Sequence, residues 1–256
     1  MDSEKHFASR FFIGVQLSEN VRISSQGIPN PNARPKVRLA VFDFDGTCIT
    51  GKSPLLLTLY LLKHHDLKLI DGIAAGFWGL AYKMHMPMLN QSWVRGLVFN
   101  AFKGMPKAQA DKIMHDFYDE KVAHLFRPEL EQAIVARKRE GCVVMVVSAT
   151  FEPIIDRVMH FYPFDFQIST RMGVDSRGCY TDRVEGLPVE GPEKVASIRR
   201  FANERYGVGN WEIDYAYSDH YTDRPLLYAA RHPYAVGPDS LLRRTAKEEG
   251  WPIIGE

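Results

Sequence analysis

Cysteine is scarce in this chain. Of 256 residues only Cys48, Cys142 and Cys179 are cysteines, an odd number with no Cys-x-x-Cys spacing, which points to reduced thiols in a cytosolic protein rather than a disulfide framework. An excess of either charge is also missing. With 32 Lys and Arg against 31 Asp and Glu the formal net charge is +1, so nucleic-acid binding through a dominant basic surface is disfavoured. No apolar run is long. The stretches 55–62 (LLLTLYLL) and 70–82, the second carrying Gly72, Gly76 and Gly79 and bracketed by Asp71 and Lys83, fall short of the ~20 residues a bilayer-spanning helix needs. They read as helices buried together. At the N-terminus only residues 11–15 are apolar, too few for a signal-peptide core, so a cytoplasmic location is expected. Internal repeats and low-complexity tracts are absent.

The most informative stretch is 37–47, VRLAVFDFDGT. Its apolar residues run without polar alternation, as in a short strand buried on both faces of a parallel sheet. Asp43 then falls at a strand's carboxyl end, the edge where open α/β sheets bind ligands, and Gly46 allows a sharp turn. Two carboxylates this close, Asp43 and Asp45, repel unless a cation or a shared proton separates them. The pair suggests a hard metal ion, acid/base chemistry, or both. Taken alone it also fits the cap of a following helix.

The rest of the chain supplies the setting. Residues 26–36 carry three prolines and two asparagines and read as a linker, making 1–36 a peripheral extension. Between 50 and 125 no strand is evident. An amphipathic helix is predicted over 107–126, with Ile113, Met114, Phe117, Tyr118, Val122 and Leu125 on one face, and a second from Pro128 to Arg139, stopped at Gly141. Strands are predicted at 142–147 and 166–170, a hairpin around 175–178, a helix over 192–206, a strand at 213–217, a short helix at 225–230, a last short strand at 234–236 and a terminal helix at 240–249. The expected fold is therefore α/β, a Rossmann-like three-layer parallel-sheet core (37–49 and 126–256) with an inserted all-helical cap (50–125).

Three further places carry polar residues that matter. The strand at 142–147 runs into Ser148-Ala149-Thr150, where a hydroxyl and free backbone N–H groups can hold phosphate oxygens. Lys194 opens the helix after Gly191-Pro192-Glu193. The strand at 213–217 delivers Ser218-Asp219-His220-Tyr221-Thr222-Asp223, two more carboxylates at a strand end. Taken in order, Asp43-x-Asp45-Gly46-Thr47, Ser148, Lys194 and Asp219-x-x-x-Asp223 resemble the four motifs of the haloacid dehalogenase-like hydrolases. The segments DRVEG (182–186), GPEKV (191–195), YAYSD (215–219), HPYAV (232–236) and LLRRTAKEEGWPI (241–253) resemble the phosphoserine-phosphatase-like branch, subfamily IB, whose helical cap lies between the first two motifs.

The resemblance implies a magnesium-dependent phosphomonoesterase. Asp43 would be the nucleophile that forms an aspartyl-phosphate, and Asp45 the general acid/base. Mg2+ would be held by Asp43, the Asp45 carbonyl and Asp219. Thr47, Ser148, Ala149 and Lys194 would hold the phosphate, Asp223 would orient Lys194 or a metal-bound water, and His220 would face solvent. The one departure concerns substrate choice. Phosphoserine phosphatases carry a Glu nine residues after the nucleophile to bind the substrate's amine, and here that position is Lys52, which would repel an amine and attract a carboxylate or second phosphate, or else point to solvent. The partner is a small-molecule phosphomonoester, with no nucleic acid. Alternatives are a lipid-phosphate phosphatase whose apolar cap touches a membrane, and a regulatory phosphate-binding protein without turnover.

Overall fold

Alternate residues of β1 (Val37–Phe42) feed two separate apolar layers. Ala40 and Phe42 join one and Leu39 and Val41 the other, all four fully buried. The next strand in sequence, β2 (Val143–Phe151), repeats the pattern, with Val144 and Val146 in the first layer and Met145 and Val147 in the second. This division explains why neither strand shows polar alternation: a central parallel strand has no solvent face. The computed structural model describes residues 35–64, 98 and 100–255; most of the expected N-terminal extension and the apolar stretch 70–82 lie outside the described residues.

After β1 come α1 (Ser53–Lys63), α2 (Lys107–Phe117), a π-helical turn at Tyr118–Val122, a 3-10 turn at Ala123–Leu125 and α3 (Pro128–Arg139). Then follow β2, α4 (Glu152–Met159), β3 (Phe166–Thr170), the hairpin strands β4 (Met172–Val174) and β5 (Tyr180–Val184), α5 (Pro192–Tyr206), β6 (Trp211–Ser218), α6 (Arg224–Ala229), β7 (His232–Val236), α7 (Ser240–Glu249) and β8 (Ile253–Ile254). Six strands form one sheet in the order β3-β2-β1-β6-β7-β8, every pair parallel. Helices cover both faces: α3 and α4 pack on the first layer through Leu130, Ile134, Ile154 and Val158, and α5, α6 and α7 on the second through Ile198, Leu226 and Leu242. This is the expected Rossmann-like three-layer core. Because β1 is flanked by β2 on one side and β6 on the other, the chain reverses its winding there, and the carboxyl ends of these three strands open one crevice.

Several expectations need correction. The strand predicted at 142–147 does not end before Ser148; it continues to Phe151, which pairs with Thr170 of β3 after a register shift, so 148–150 is strand and not turn. The helix predicted over 107–126 is α-helical only to Phe117 and then passes through the π and 3-10 turns, which keep Phe117, Tyr118 and Val122 buried. No helix was expected at Glu152–Met159, where α4 turns Ile154, Ile155 and Val158 inward. The strand at 234–236 is not the last and the helix at 240–249 is not terminal, because β8 returns to pair with β7.

The helical segment between β1 and β2 begins and ends at one point. Ile49 pairs with Phe126, Thr50 N–H donates to the Leu125 carbonyl (3.0 Å) and Arg127 N–H to that of Cys48 (2.8 Å). Within it α1 turns Leu57, Tyr60 and Leu61 inward and leaves Leu59 half exposed. Among the described residues no helix is long and apolar enough to cross a membrane.

Phe42 anchors the first layer, stacked on Tyr217 (centroids 4.3 Å, 5° between planes) and edge-on to Phe164 (6.0 Å). Phe42→Ala is expected to cost about 3–5 kcal/mol of stability, whereas Leu241→Ala on the exposed face of α7 should stay within about 0.5 kcal/mol. Urea unfolding midpoints of the two variants check this. Equal losses would contradict the assignment of Phe42 to the core.

Candidate active site

Five of the residues singled out in the sequence, Asp43, Asp219, Asp223, Lys194 and Lys52, meet at the crevice as a charge cluster. Asp43 continues β1, its N–H donating to the Tyr217 carbonyl of β6 (3.0 Å), so the sheet itself fixes the backbone of that carboxylate. Its Oδ1 accepts a hydrogen bond from Lys194 Nζ at 2.6 Å, and the same ammonium donates to Asp223 Oδ2, also at 2.6 Å. All three side chains are buried, with Lys194 only 4% exposed. Two carboxylates hold this ammonium's pKa above that of a free lysine, against the burial that lowers it. Ser218 Oγ donates to Asp223 Oδ2 (2.7 Å), so Asp223 orients Lys194.

Asp219 stands beside Asp43. The buried Thr47 hydroxyl lies between them, 3.1 Å from Asp43 Oδ2 and 3.2 Å from Asp219 Oδ1, with one proton for two acceptors. Burial pushes the Asp219 carboxyl up to about 6, opposed by the charge of Lys52. Lys52 does not point to solvent: its Nζ donates to Asp219 Oδ2 (2.7 Å) and to the Asp45 carbonyl (2.9 Å). Gly46 makes this convergence possible. It adopts φ +84°, and a Cβ there would stand 2.1 Å from Asp219 Oδ2 and 2.6 Å from Lys52 Nζ.

The Asp45 carboxylate faces elsewhere. Oδ1 accepts the Ser53 N–H at 2.5 Å, and Oδ2 accepts the hydroxyls of Ser53 (3.0 Å) and Thr150. Burial still raises this carboxyl above the usual carboxylate range, outweighing the lowering by Thr150 and Ser53. Ser148 is buried, and its Oγ donates to Thr150 Oγ1 (3.1 Å) while accepting the Thr150 N–H (3.2 Å); Ala149 lies between them on β2. Thr150 and Ser53 are the site residues that sequence reasoning missed. Thr150 read as part of a turn, and Ser53 carried no reading. The available signal was spacing: a hydroxyl at the beginning of the helix that follows Asp-x-Asp can reach back to its second carboxylate.

Among the described residues no three His, Cys, Asp or Glu side chains form a metal cluster. The reason is that Asp45 turns its carboxylate away and offers its carbonyl. Asp43, Asp219 and that carbonyl are nonetheless hard oxygen donors, and an ammonium already stands on two of them, so the set fits a small divalent cation. His220 is partly exposed and hydrogen-bonds Thr222 Oγ1 (2.9 Å). Asp239 secures the Asp219 loop, donating its N–H to the Asp219 carbonyl (3.0 Å) and accepting those of Tyr221 (2.9 Å) and Leu242 (2.8 Å).

A family model of haloacid dehalogenase-like hydrolases matches residues 40–228. A histidinol-phosphatase of Neisseria meningitidis is 28% identical over 230 residues, covering 84% of this chain and 97% of that protein. The chain spans about half (54%) of the length of another curated relative, which is 32% identical over 153 residues. Among solved structures, a Bordetella pertussis protein of unknown function superposes with TM-score 0.75 at 22% identity, covering 86% of this chain and 98% of that one. A substrate-bound phosphoserine phosphatase superposes with TM-score 0.56 at 19% identity over 88% and 94% of the two chains. At these identities the superpositions establish the fold.

Replacing the buried ammonium isolates its share of stability. Its raised pKa means that its contribution is complete below about pH 10 and lost only in more alkaline solution. Lys194→Met leaves Asp43 and Asp223 uncompensated and is expected to cost roughly 3–5 kcal/mol at neutral pH. Thermal unfolding of wild type and variant at pH 7.5 checks this, and an unchanged midpoint would contradict it.

Proposed function

The chain belongs to the haloacid dehalogenase-like hydrolases, in their phosphoserine-phosphatase-like branch, and on that premise we propose that it is a magnesium-dependent phosphatase acting through an aspartyl-phosphate on Asp43. The carrying observation is the opposite treatment of two carboxylates two residues apart: Asp43 is matched by a buried ammonium, whereas burial favours the protonated form of Asp45. That split supports Asp43 as the nucleophile and Asp45 as the acid.

In the proposed reaction an Asp43 carboxylate oxygen forms a bond to phosphorus as the ester P–O bond breaks, and Asp45 gives its proton to the departing alkoxide. Water then adds to phosphorus, Asp45 takes the water's proton, and the bond to Asp43 breaks to release phosphate and restore the Asp43 carboxylate and the protonated Asp45. Lys194 offsets charge on Asp43 and the phosphate, with the Ser148 hydroxyl and the Ala149 N–H assigned to phosphate oxygens. Thr47 orients Asp43 and Asp219. Bound Mg2+, held by Asp43, Asp219 and the Asp45 carbonyl, supplies the positive charge that lets a carboxylate approach an anionic phosphate. Ser53 and Thr150 hold the Asp45 carboxyl group in place by donating to its oxygens.

The substrate is proposed to be a small phosphorylated metabolite, which the histidinol-phosphatase relative supports. Residues 50–125 are proposed to be the cap over the crevice, because the chain leaves and re-enters the core at the paired Ile49 and Phe126.

The test is turnover of alkyl and activated aryl phosphates with Mg2+. Asp43→Asn should lower kcat on both by a factor on the order of 10⁴ or more. Asp45→Asn should cost on the order of 10²–10⁴ on alkyl esters and much less on aryl esters, whose leaving groups need little protonation. Substantial activity in folded Asp43→Asn, or equal losses for Asp45→Asn on both ester types, would remove the respective role.

A further inference from the structure

Lys52 is placed where helix stability does not want it. It is the residue at the N-terminal boundary of α1, its side chain makes no capping bond there, and a cation at that end opposes the helix dipole. What holds it is the pair of oxygens below: Asp219 Oδ2 at 2.7 Å and the Asp45 carbonyl at 2.9 Å. These are two of the three donors assigned above to the metal. Burial lowers the pKa of this ammonium, but the charges of Asp219, Asp45 and Asp43 more than reverse that effect, so it remains a cation.

We propose that Lys52 is an exchangeable internal counter-ion that competes with the divalent cation for Asp219 and the Asp45 carbonyl. The inference rests on the metal assignment under Proposed function. A divalent cation drawing on Asp219 Oδ2 and the Asp45 carbonyl would stand against the Lys52 ammonium, and the repulsion between the two positive charges favours departure of the lysine. The two lysines of the site differ in what leaving would cost. Lys194 is clamped between two carboxylates in the interior, with a side chain 5% exposed, whereas the Lys52 side chain is 39% exposed and sits on a flexible stem at the rim. Lys194 is therefore permanent and Lys52 displaceable. Without the metal, Lys52 relieves the repulsion between Asp219 and Asp43 across Thr47. With the metal bound, it is released to the crevice, and the affinity for the metal is reduced by what the lysine contact was worth.

The experiment is calorimetric titration of MgCl2 into the full-length wild type, Lys52→Met and Lys52→Arg, with no substrate present. Removing two charge-assisted hydrogen bonds to the same oxygens should tighten Mg2+ binding by Lys52→Met on the order of tenfold, while Lys52→Arg, which keeps the charge, should gain far less. A second measurement needs no variant: acylation of lysine amines by an N-hydroxysuccinimide ester, read by peptide mass spectrometry. Mg2+ should raise the labelling of Lys52 and leave that of Lys194 low. Equal Mg2+ affinity in wild type and Lys52→Met, or Lys52 labelling unchanged by Mg2+, would overturn the inference while leaving the metal assignment intact. Absence of Mg2+ binding in all three proteins would overturn both.

Discussion

A buried ammonium between two buried carboxylates organises this site. Lys194 comes from the first turn of α5, Asp43 from the end of β1 and Asp223 from the loop after β6, so the contact joins three elements far apart in sequence. A lysine in the first turn of a helix is opposed by the helix dipole, and a charge in the interior is opposed by desolvation. Only the carboxylates offset both. Gly191, at φ +53°, and Pro192 set the entry angle that brings Lys194 to them. Moving any of the three elements leaves an unpaired charge in a dry crevice, and the second apolar layer, from Leu39 to Leu242, acts as the rigid support for that arrangement.

From this pair the division of labour follows. The cluster of Asp43, Asp219 and Asp223 exceeds the charge of Lys194 and Lys52 by one negative unit, so it is receptive to a divalent cation. Asp45 stands apart because its backbone and side chain serve opposite sides of the loop: the carbonyl points to the acidic cluster, and the carboxylate points to Ser53 at the start of α1 and Thr150 at the end of β2. Since α1 begins the segment proposed as a cap, the Asp45 carboxylate is held jointly by that segment and the sheet.

Much of this was legible in the sequence because it depends on local pattern. The unbroken apolar run before Asp43 shows a two-sided strand, and the order of Asp43, Ser148, Lys194 and Asp219 shows which strand ends and helix start must converge. The partners that needed tertiary information were not legible. Residues 148–150 look like a turn, yet the strand runs through them to Phe151, which pairs with Thr170 of β3, and Thr150 meets Asp45. The change of helical pitch at Tyr118 is likewise absent from the local pattern, since Tyr118 and Val122, four residues apart, stay buried on one face through it. Strand β8 is two residues long and owes its existence to the edge of β7. The direction of Lys52 was open for the same reason: only the positive φ at Gly46 reveals that the loop folds back far enough to bring Asp219 within its reach.

The central claim is that Asp43 carries the phosphoryl group during turnover. The direct measurement is to mix the protein with Mg2+ and an aryl phosphate, quench in acid within the first turnovers, digest, and locate any added phosphoryl group by mass spectrometry. The account predicts one phosphoryl group on the peptide that contains Asp43, removed by hydroxylamine as expected of an acyl phosphate and absent in Asp43→Asn. A phosphoryl group on any other residue, or release of product with no phosphorylated enzyme at any quench time, would contradict it.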